Sequence, residues 1–205
     1  MTKKILFYSL FFLVLILGFY FMLTKLIPGF GKVGLPQLNK VKSFSFLNQN
    51  GERITNKDVE GKVYIAEFFF TTCHGICPKL NSNLKSVYEK YKNEPDFKIL
   101  SHTVDPKTDS VVRLKQYADS LGVEAPKWIF LTGTKDSLYL AARLSYLLDD
   151  PKNNLSPIDE QFIHTQFFAL VDKNGYVRSI VDGLKKDEIS EMEKEIDELL
   201  KETAN

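Results

Sequence analysis

Two cysteines stand four positions apart in Thr71-Thr72-Cys73-His74-Gly75-Ile76-Cys77-Pro78, and they are the only two in a chain of 205 residues. A thiolate is both a nucleophile and a metal ligand, so the segment supports either redox or metal chemistry. It follows the apolar run Lys62 to Phe70 and precedes an amphipathic stretch, which predicts a buried strand leading into a helix. Backbone N–H groups left free at a helix start favour thiolate there. Two small buried hydrophobes would be the plainer reading, but the junction and the flanking Gly75 and Pro78 argue against it. In a regular helix, positions four apart share a face with Cβ atoms about 5–6 Å apart. A disulfide needs about 3.5–4.5 Å, so pairing would require Cys73 to rotate out of the helix. Two sulfurs sharing a metal ion, at about 2.3 Å each for zinc thiolates, are less constrained. The spacing therefore favours a metal clip that can also oxidise.

A clip of two sulfurs needs a third donor, and the chain has three histidines. His164 precedes the strand-like stretch Gln166 to Val171, in a loop that the order of strands and helices set out below brings to the cysteine turn, so His164 is the expected third ligand. His74, between the cysteines, is read as a modifier of thiol acidity or a transient donor. His102 lies inside the strand-like Ile99 to Val104 and is read as a hydrogen-bonded structural histidine. Asp105 could orient the site, and Asp109 could do so too; a turn at Asp105-Pro106 and a helix cap at Asp109 are equally open.

The elements that must position these groups follow from patterning. Ser43 to Leu47 and Arg53-Ile54 flank Asn50-Gly51 as a hairpin; strands follow at Lys62 to Phe70, Phe97 to Val104 and Trp128 to Leu131. Helices are predicted after the second cysteine, over 110–121 and over 136–148. Gln166 to Val171 and Tyr176 to Val181 form a hairpin through Asp172-Lys173-Asn174-Gly175, and Ile189, Met192, Ile196 and Leu199 mark a closing helix. This predicts an α/β thioredoxin-like fold with an N-terminal β-hairpin extension and an inserted strand and helix, spanning residues 41–203.

Ahead of it, Ile5 to Leu23 carries no charge over 19 residues, with Lys3 and Lys4 before it and Lys25 after. That is enough apolar length to cross a bilayer, and no small-residue cleavage site accompanies it. Residues 5–24 are expected to be an uncleaved transmembrane signal anchor, with 1–4 cytoplasmic, 25–40 a linker rich in Gly and Pro, and the folded domain in the periplasm or another extracytoplasmic space. Net charge is +1, with 27 Lys+Arg against 26 Asp+Glu, which offers no excess field for gripping nucleic acid. Two cysteines are also too few for a disulfide scaffold.

Taken together, the aromatic strand into TxCxxxCP (Thr71 to Pro78), Val104-Asp105-Pro106 with Asp109, Leu131-Thr132-Gly133-Thr134, a histidine before the last hairpin and Asp172-Lys173-Asn174-Gly175 resemble the Sco/SenC family of membrane-tethered copper chaperones. The resemblance implies that Cys73, Cys77 and His164 bind one copper ion, and that the chain helps assemble the binuclear copper site of a haem-copper cytochrome oxidase. It implies the copper-site subunit of that oxidase as partner, with other copper chaperones or thiol reductases as further candidates. Two departures stand out: many relatives have proline where this chain has His74, and aspartate where it has Ile163. Two thiolates and an imidazole suit Cu(I), and can hold Cu(II). The competing expectation is a thiol-disulfide oxidoreductase, with Cys73 attacking and Cys77 resolving; a peroxide-reducing thiol enzyme is a third, without motif support of its own.

Overall fold

The computed structural model describes residues 2–26 and 34–204, and the chain divides into two units between Leu35 and Pro36. The first is helix α1 (Thr2–Leu26), whose 25 residues reach about 37 Å at 1.5 Å each, more than the ~30 Å hydrocarbon thickness of a bilayer. Its large apolar side chains from Ile5 to Met22 are exposed on every face, as a membrane anchor requires. The segment Pro28 to Val33, expected as the flexible part of the linker, lies outside the described residues.

The second unit is an eight-stranded sheet with helices on both faces. Its strands are β1 (Asn39–Lys40), β2 (Ser45–Asn48), β3 (Arg53–Thr55), β4 (Val63–Phe69), β5 (Phe97–Thr103), β6 (Trp128–Thr132), β7 (Phe167–Val171) and β8 (Tyr176–Asp182), in the order β1-β8-β7-β4-β5-β6-β2-β3. Strands β4, β5 and β6 are parallel neighbours, and all other pairings are antiparallel. The helices are α2 (Cys77–Tyr91), α3 (Val111–Leu121), α4 (Lys135–Leu144) and α5 (Lys186–Leu199). The thioredoxin-like βαβ and ββα halves are β4-α2-β5 and β7-β8-α5, with α3-β6-α4 inserted between them.

Every residue of β4 is buried, because helices cover both of its faces. One face carries Tyr64, Ala66 and Phe68 into a core shared with Leu138, Ala142 and Tyr146 around α4. On the other, Phe69 stacks on Tyr117 of α3 at 5.4 Å, and Tyr88 of α2 packs on Trp128 at 5.6 Å. Helix α5 is tied to α2 by the Tyr91 hydroxyl, which donates to Glu193 O and Asp197 Oδ1 at 2.8 Å each.

Three expectations change. The folded unit begins at Pro36 rather than residue 41, because β1 pairs Asn39 with Val177 and Lys40 with Tyr176 of β8. Helix α4 stops at Leu144 rather than continuing to 148: Leu148 N–H closes back onto Ala142 O at 2.8 Å through Leu147, held at φ 58°. That left-handed position is normally given to Gly or Asn. The cap of α3 is Ser110, whose hydroxyl accepts Arg113 N–H at 3.3 Å, which leaves Asp109 for another task.

Candidate metal and redox site

Strand β4 delivers the chain to the carboxyl end of the parallel strands, where it turns before α2 begins. The turn is closed by Cys73 N–H donating to Phe70 O at 3.2 Å. Helix α2 starts at Cys77 with Pro78 in its first turn, a place where proline's missing N–H and fixed φ do no harm. Cys73 therefore lies outside the helix. The face-sharing geometry assumed from the four-residue spacing does not apply, and with it goes the geometric objection to a disulfide between the two.

Both thiols are free; Cys77 is buried and Cys73 half-buried. Their surroundings push them in opposite directions. Burial raises the Cys73 thiol, but the Cys77 side chain and the backbone groups of Cys77, Gly75 and Ile76 around its sulfur outweigh this and hold it below its ordinary range. Cys77 is raised well above its ordinary range by burial first, then by the neighbouring Cys73 sulfur, with Glu67 adding a like charge. The pair is thus divided into a thiolate-favouring Cys73 at the opening and a protonated Cys77 beneath it.

Beneath Cys77, on the same face of the sheet, Glu67 is wholly buried and burial pushes its carboxyl up to about 7. It accepts the Ser101 hydroxyl, and Ser101 Oγ in turn accepts the Trp128 indole N–H at 2.8 Å. Tyr117 stands beside this group, its hydroxyl accepting from Asn81 Nδ2 at 2.5 Å.

His164 sits three residues before β7, as the topology requires, and its side chain is exposed. Its ring packs on Phe162 at 4.8 Å and on Phe70 at 6.2 Å, and the two phenyl rings meet edge to face at 5.0 Å. Phe70 is the same residue whose carbonyl closes the cysteine turn, so the imidazole and the sulfurs share one rim. They do not form a closed cage: among the described residues, no three His, Cys, Asp or Glu side chains stand close enough together to hold a metal ion. The reason lies in how the loop is fastened. Lys135 Nζ donates to Asp159 O at 3.1 Å and Gln161 O at 2.6 Å, and the Tyr139 hydroxyl donates to Gln161 O at 3.1 Å. Beyond Gln161, ring packing places His164. Ile163 is buried in the α4-side core and offers the imidazole no acceptor.

The other expected residues divide. His74 is exposed in the turn. Asp105 is half-buried and forms the expected turn, its carbonyl accepting Thr108 N–H at 3.1 Å and Asp109 N–H at 2.9 Å. His102 is in β5 as expected but is not hydrogen-bonded: both ring nitrogens lack partners, and the ring is boxed by Phe68 at 4.9 Å, Tyr146 at 5.1 Å and Phe46 at 5.5 Å. Burial lowers it to about 4, so it is neutral. Sequence reasoning missed Glu67, whose signal was a lone acid inside an apolar strand, and the rings of Phe70 and Phe162, which gave no signal.

Residues 34–201 match the SCO1/SenC family profile. The chain is 30% identical over 150 residues to the SCO1 protein homolog of Bacillus subtilis, covering 71% of this chain and 75% of that one. Among solved structures it is similar to BsSco, a member of the Sco family of cytochrome c oxidase assembly proteins described as having a disulfide switch (TM-score 0.67, 28% identity, 80% of this chain and 96% of that chain). It is also similar to Arabidopsis thaliana ScoI with copper bound (TM-score 0.61, 25% identity, 77% and 98%).

Proposed function

Since the chain belongs to the SCO1/SenC family, we propose that it is a membrane-anchored copper chaperone which holds one copper ion through Cys73, Cys77 and His164 and serves the copper site of a haem-copper oxidase. The observation that carries this reading is the polarised thiol pair with an imidazole on the same rim, across Phe70. Two soft sulfurs and one imidazole form a donor set suited to Cu(I) and able to hold Cu(II). The sulfurs are positioned by the chain around them, whereas the exposed His164 is held by ring packing on Phe162 and Phe70 and would have to move to join them. A donor that joins last and leaves first suits an ion that is cargo. Lys3 and Lys4 ahead of the apolar run support an amino end in the cytoplasm with the folded unit outside it.

The test is copper titration of the reduced full chain in detergent micelles. One copper per chain is expected, with affinity falling at least tenfold in His164→Ala while both thiols still react with a thiol reagent. The second reading, a thiol-disulfide oxidoreductase, is favoured by the same division between Cys73 and Cys77. If His164→Ala binds copper as the parent does and the parent reduces a disulfide substrate such as insulin efficiently, the oxidoreductase reading replaces the first.

A further inference from the structure

Asp109 is wholly buried just ahead of α3, and both of its carboxylate oxygens face the cysteine turn and the end of β5. Its Oδ1 accepts the Thr71 hydroxyl at 2.5 Å, and its Oδ2 accepts Thr71 N–H at 3.2 Å and the Thr103 hydroxyl at 2.5 Å. Thr71 Oγ1 also accepts Arg113 Nε–H at 3.1 Å, and Thr103 Oγ1 accepts Asp105 N–H at 3.0 Å. One carboxylate thereby ties three segments together: the turn two residues before Cys73, the last residue of β5 and the first turn of α3.

The consequence for the sulfur is geometric. Cys73 gains its favourable surroundings from the Cys77 side chain and from backbone groups of Cys77, Gly75 and Ile76, and the turn that carries it is closed by Cys73 N–H on Phe70 O at 3.2 Å. Thr71 is the first residue after Phe70, and its amide and hydroxyl are both fixed by Asp109. We propose that Asp109 is a positioning residue for Cys73: through Thr71 it sets the path of the turn and so the alignment of backbone N–H groups on the Cys73 sulfur. This rests on the cysteine pair being the working site, and it holds under either reading of what that pair does.

The variants disturb the link from its two ends, Asp109 and Thr71. In Asp109→Asn an amide N–H₂ replaces one carboxylate oxygen, so the donors that oxygen served, among Thr71 Oγ1–H, Thr71 N–H and Thr103 Oγ1–H, lose their acceptor, and a hydroxyl facing the amide must turn a lone pair to it instead. Thr71→Val keeps the branched shape and the N–H bond but removes the hydroxyl; Thr71→Ser restores it. The readout is the thiol-disulfide equilibrium of the full chain in detergent micelles against glutathione. Here the dithiol gives two electrons and two protons to glutathione disulfide, one S–S bond forms between Cys73 and Cys77, and two reduced glutathione molecules are released.

A loosened turn withdraws N–H groups from the reduced sulfur, so Asp109→Asn and Thr71→Val should each move the equilibrium toward disulfide by about tenfold, or about 30 mV. The double variant should shift no further than the larger single, because both act through one link, and Thr71→Ser should return close to the parent. A fall in melting temperature with an equilibrium within twofold of the parent in both single variants would overturn the proposal and leave Asp109 a folding residue only. If Asp109→Asn does not fold, Thr71→Val decides alone by the same criterion. Copper enters neither measurement, so failure of the copper titration and failure of this proposal are separate results.

Discussion

The two buried titratable groups on opposite faces of the sheet, His102 and Glu67, should hide each other's pH dependence, and single substitutions should expose it. His102 is fully buried without partners and is lowered by burial from 6.5 to about 4. Below pH 6.5 the unfolded chain takes up a proton that the folded chain refuses. Stability is therefore fully present above 6.5 and lost as pH falls toward 4, a gap of roughly 2.5 pH units worth ~3 kcal/mol. Glu67 runs the other way. Burial raises it from 4.5 to about 7, against a smaller lowering by Ser101, so the folded carboxyl keeps a proton that the unfolded one releases. Its contribution is fully present below 4.5 and lost as pH rises through 7, again ~3 kcal/mol. Between about pH 4.5 and 6.5 the two slopes have equal size and opposite sign.

The parent should thus show little change from this pair across that window. Glu67→Gln keeps an acceptor for Ser101 and removes the falling slope, so its stability should climb with pH by about 1.4 kcal/mol per unit relative to the parent. His102→Phe fits a box already made of aromatic rings and removes the rising slope, so its stability should fall with pH at the same rate. It should also gain ~1–3 kcal/mol at pH 6.5, where two orphaned nitrogens are no longer buried. Trp128 is the only tryptophan, fully buried, with its indole bonded to the Ser101 that bonds Glu67, so its fluorescence reports unfolding of this sheet directly. Urea titrations at pH 4.5, 5.5 and 6.5 measure the three slopes, and exposed carboxylates cancel because all variants share them. Parallel profiles for parent, Glu67→Gln and His102→Phe would refute the reasoning, since neither group could then be buried in its neutral form.

Two further substitutions probe the frame around the site. Gly183→Ala would place a methyl 2.5 Å from Phe168 Cζ and 2.7 Å from Leu80 Cδ2; it should cost ~1–3 kcal/mol by overpacking, read as a lower melting temperature, and an unchanged melt would show that α2 shifts freely on the sheet. Leu147→Asn should instead stabilise by about 1 kcal/mol in urea, because φ 58° strains a leucine and suits asparagine while the side chain is only partly packed; a loss of stability would mean that the leucine's contacts outweigh its backbone strain.

Much of this architecture could be read locally. The run from Val63 to Phe69 is apolar without alternation, apart from Glu67, because helices cover both of its faces, and Asp172 to Gly175 turns because the Asp172 carboxylate accepts the N–H groups of Asn174 and Tyr176, both at 2.9 Å. Asn39-Lys40 carries no such pattern: its strand exists because the backbone of β8 is available, which is a property of the partner. The end of α4 was hidden for a related reason. Tyr146 and Leu148 continue the apolar content of the helix and are buried, yet they reach the core through a reversed turn at a residue that disfavours it. At the cysteines the signal is Pro78, which belongs in a helix's first turn and so keeps the helix start close to it; the structure has the start at Cys77 and Cys73 outside the helix.

That placement explains why the two halves of the site differ in how far they are preformed. The Cys73 sulfur is surrounded by the Cys77 side chain and by backbone groups within four residues, with Thr71 held from beneath by Asp109, so the residues that favour its ionisation are nearly contiguous in the chain and their chemistry can be read from a short motif. His164 comes from a loop 91 residues further along, fastened at Gln161 by Lys135 and Tyr139 and left beyond that point to whichever surface its ring finds, here Phe162 and Phe70. No sequence spacing encodes that last step, because it depends on side-chain packing between distant segments. Under the copper reading the same arrangement has a use. A third donor held by exposed ring contacts, each on the order of 1 kcal/mol, can be drawn onto the metal and released again at small cost, whereas a buried, hydrogen-bonded histidine in that place would resist giving the ion up.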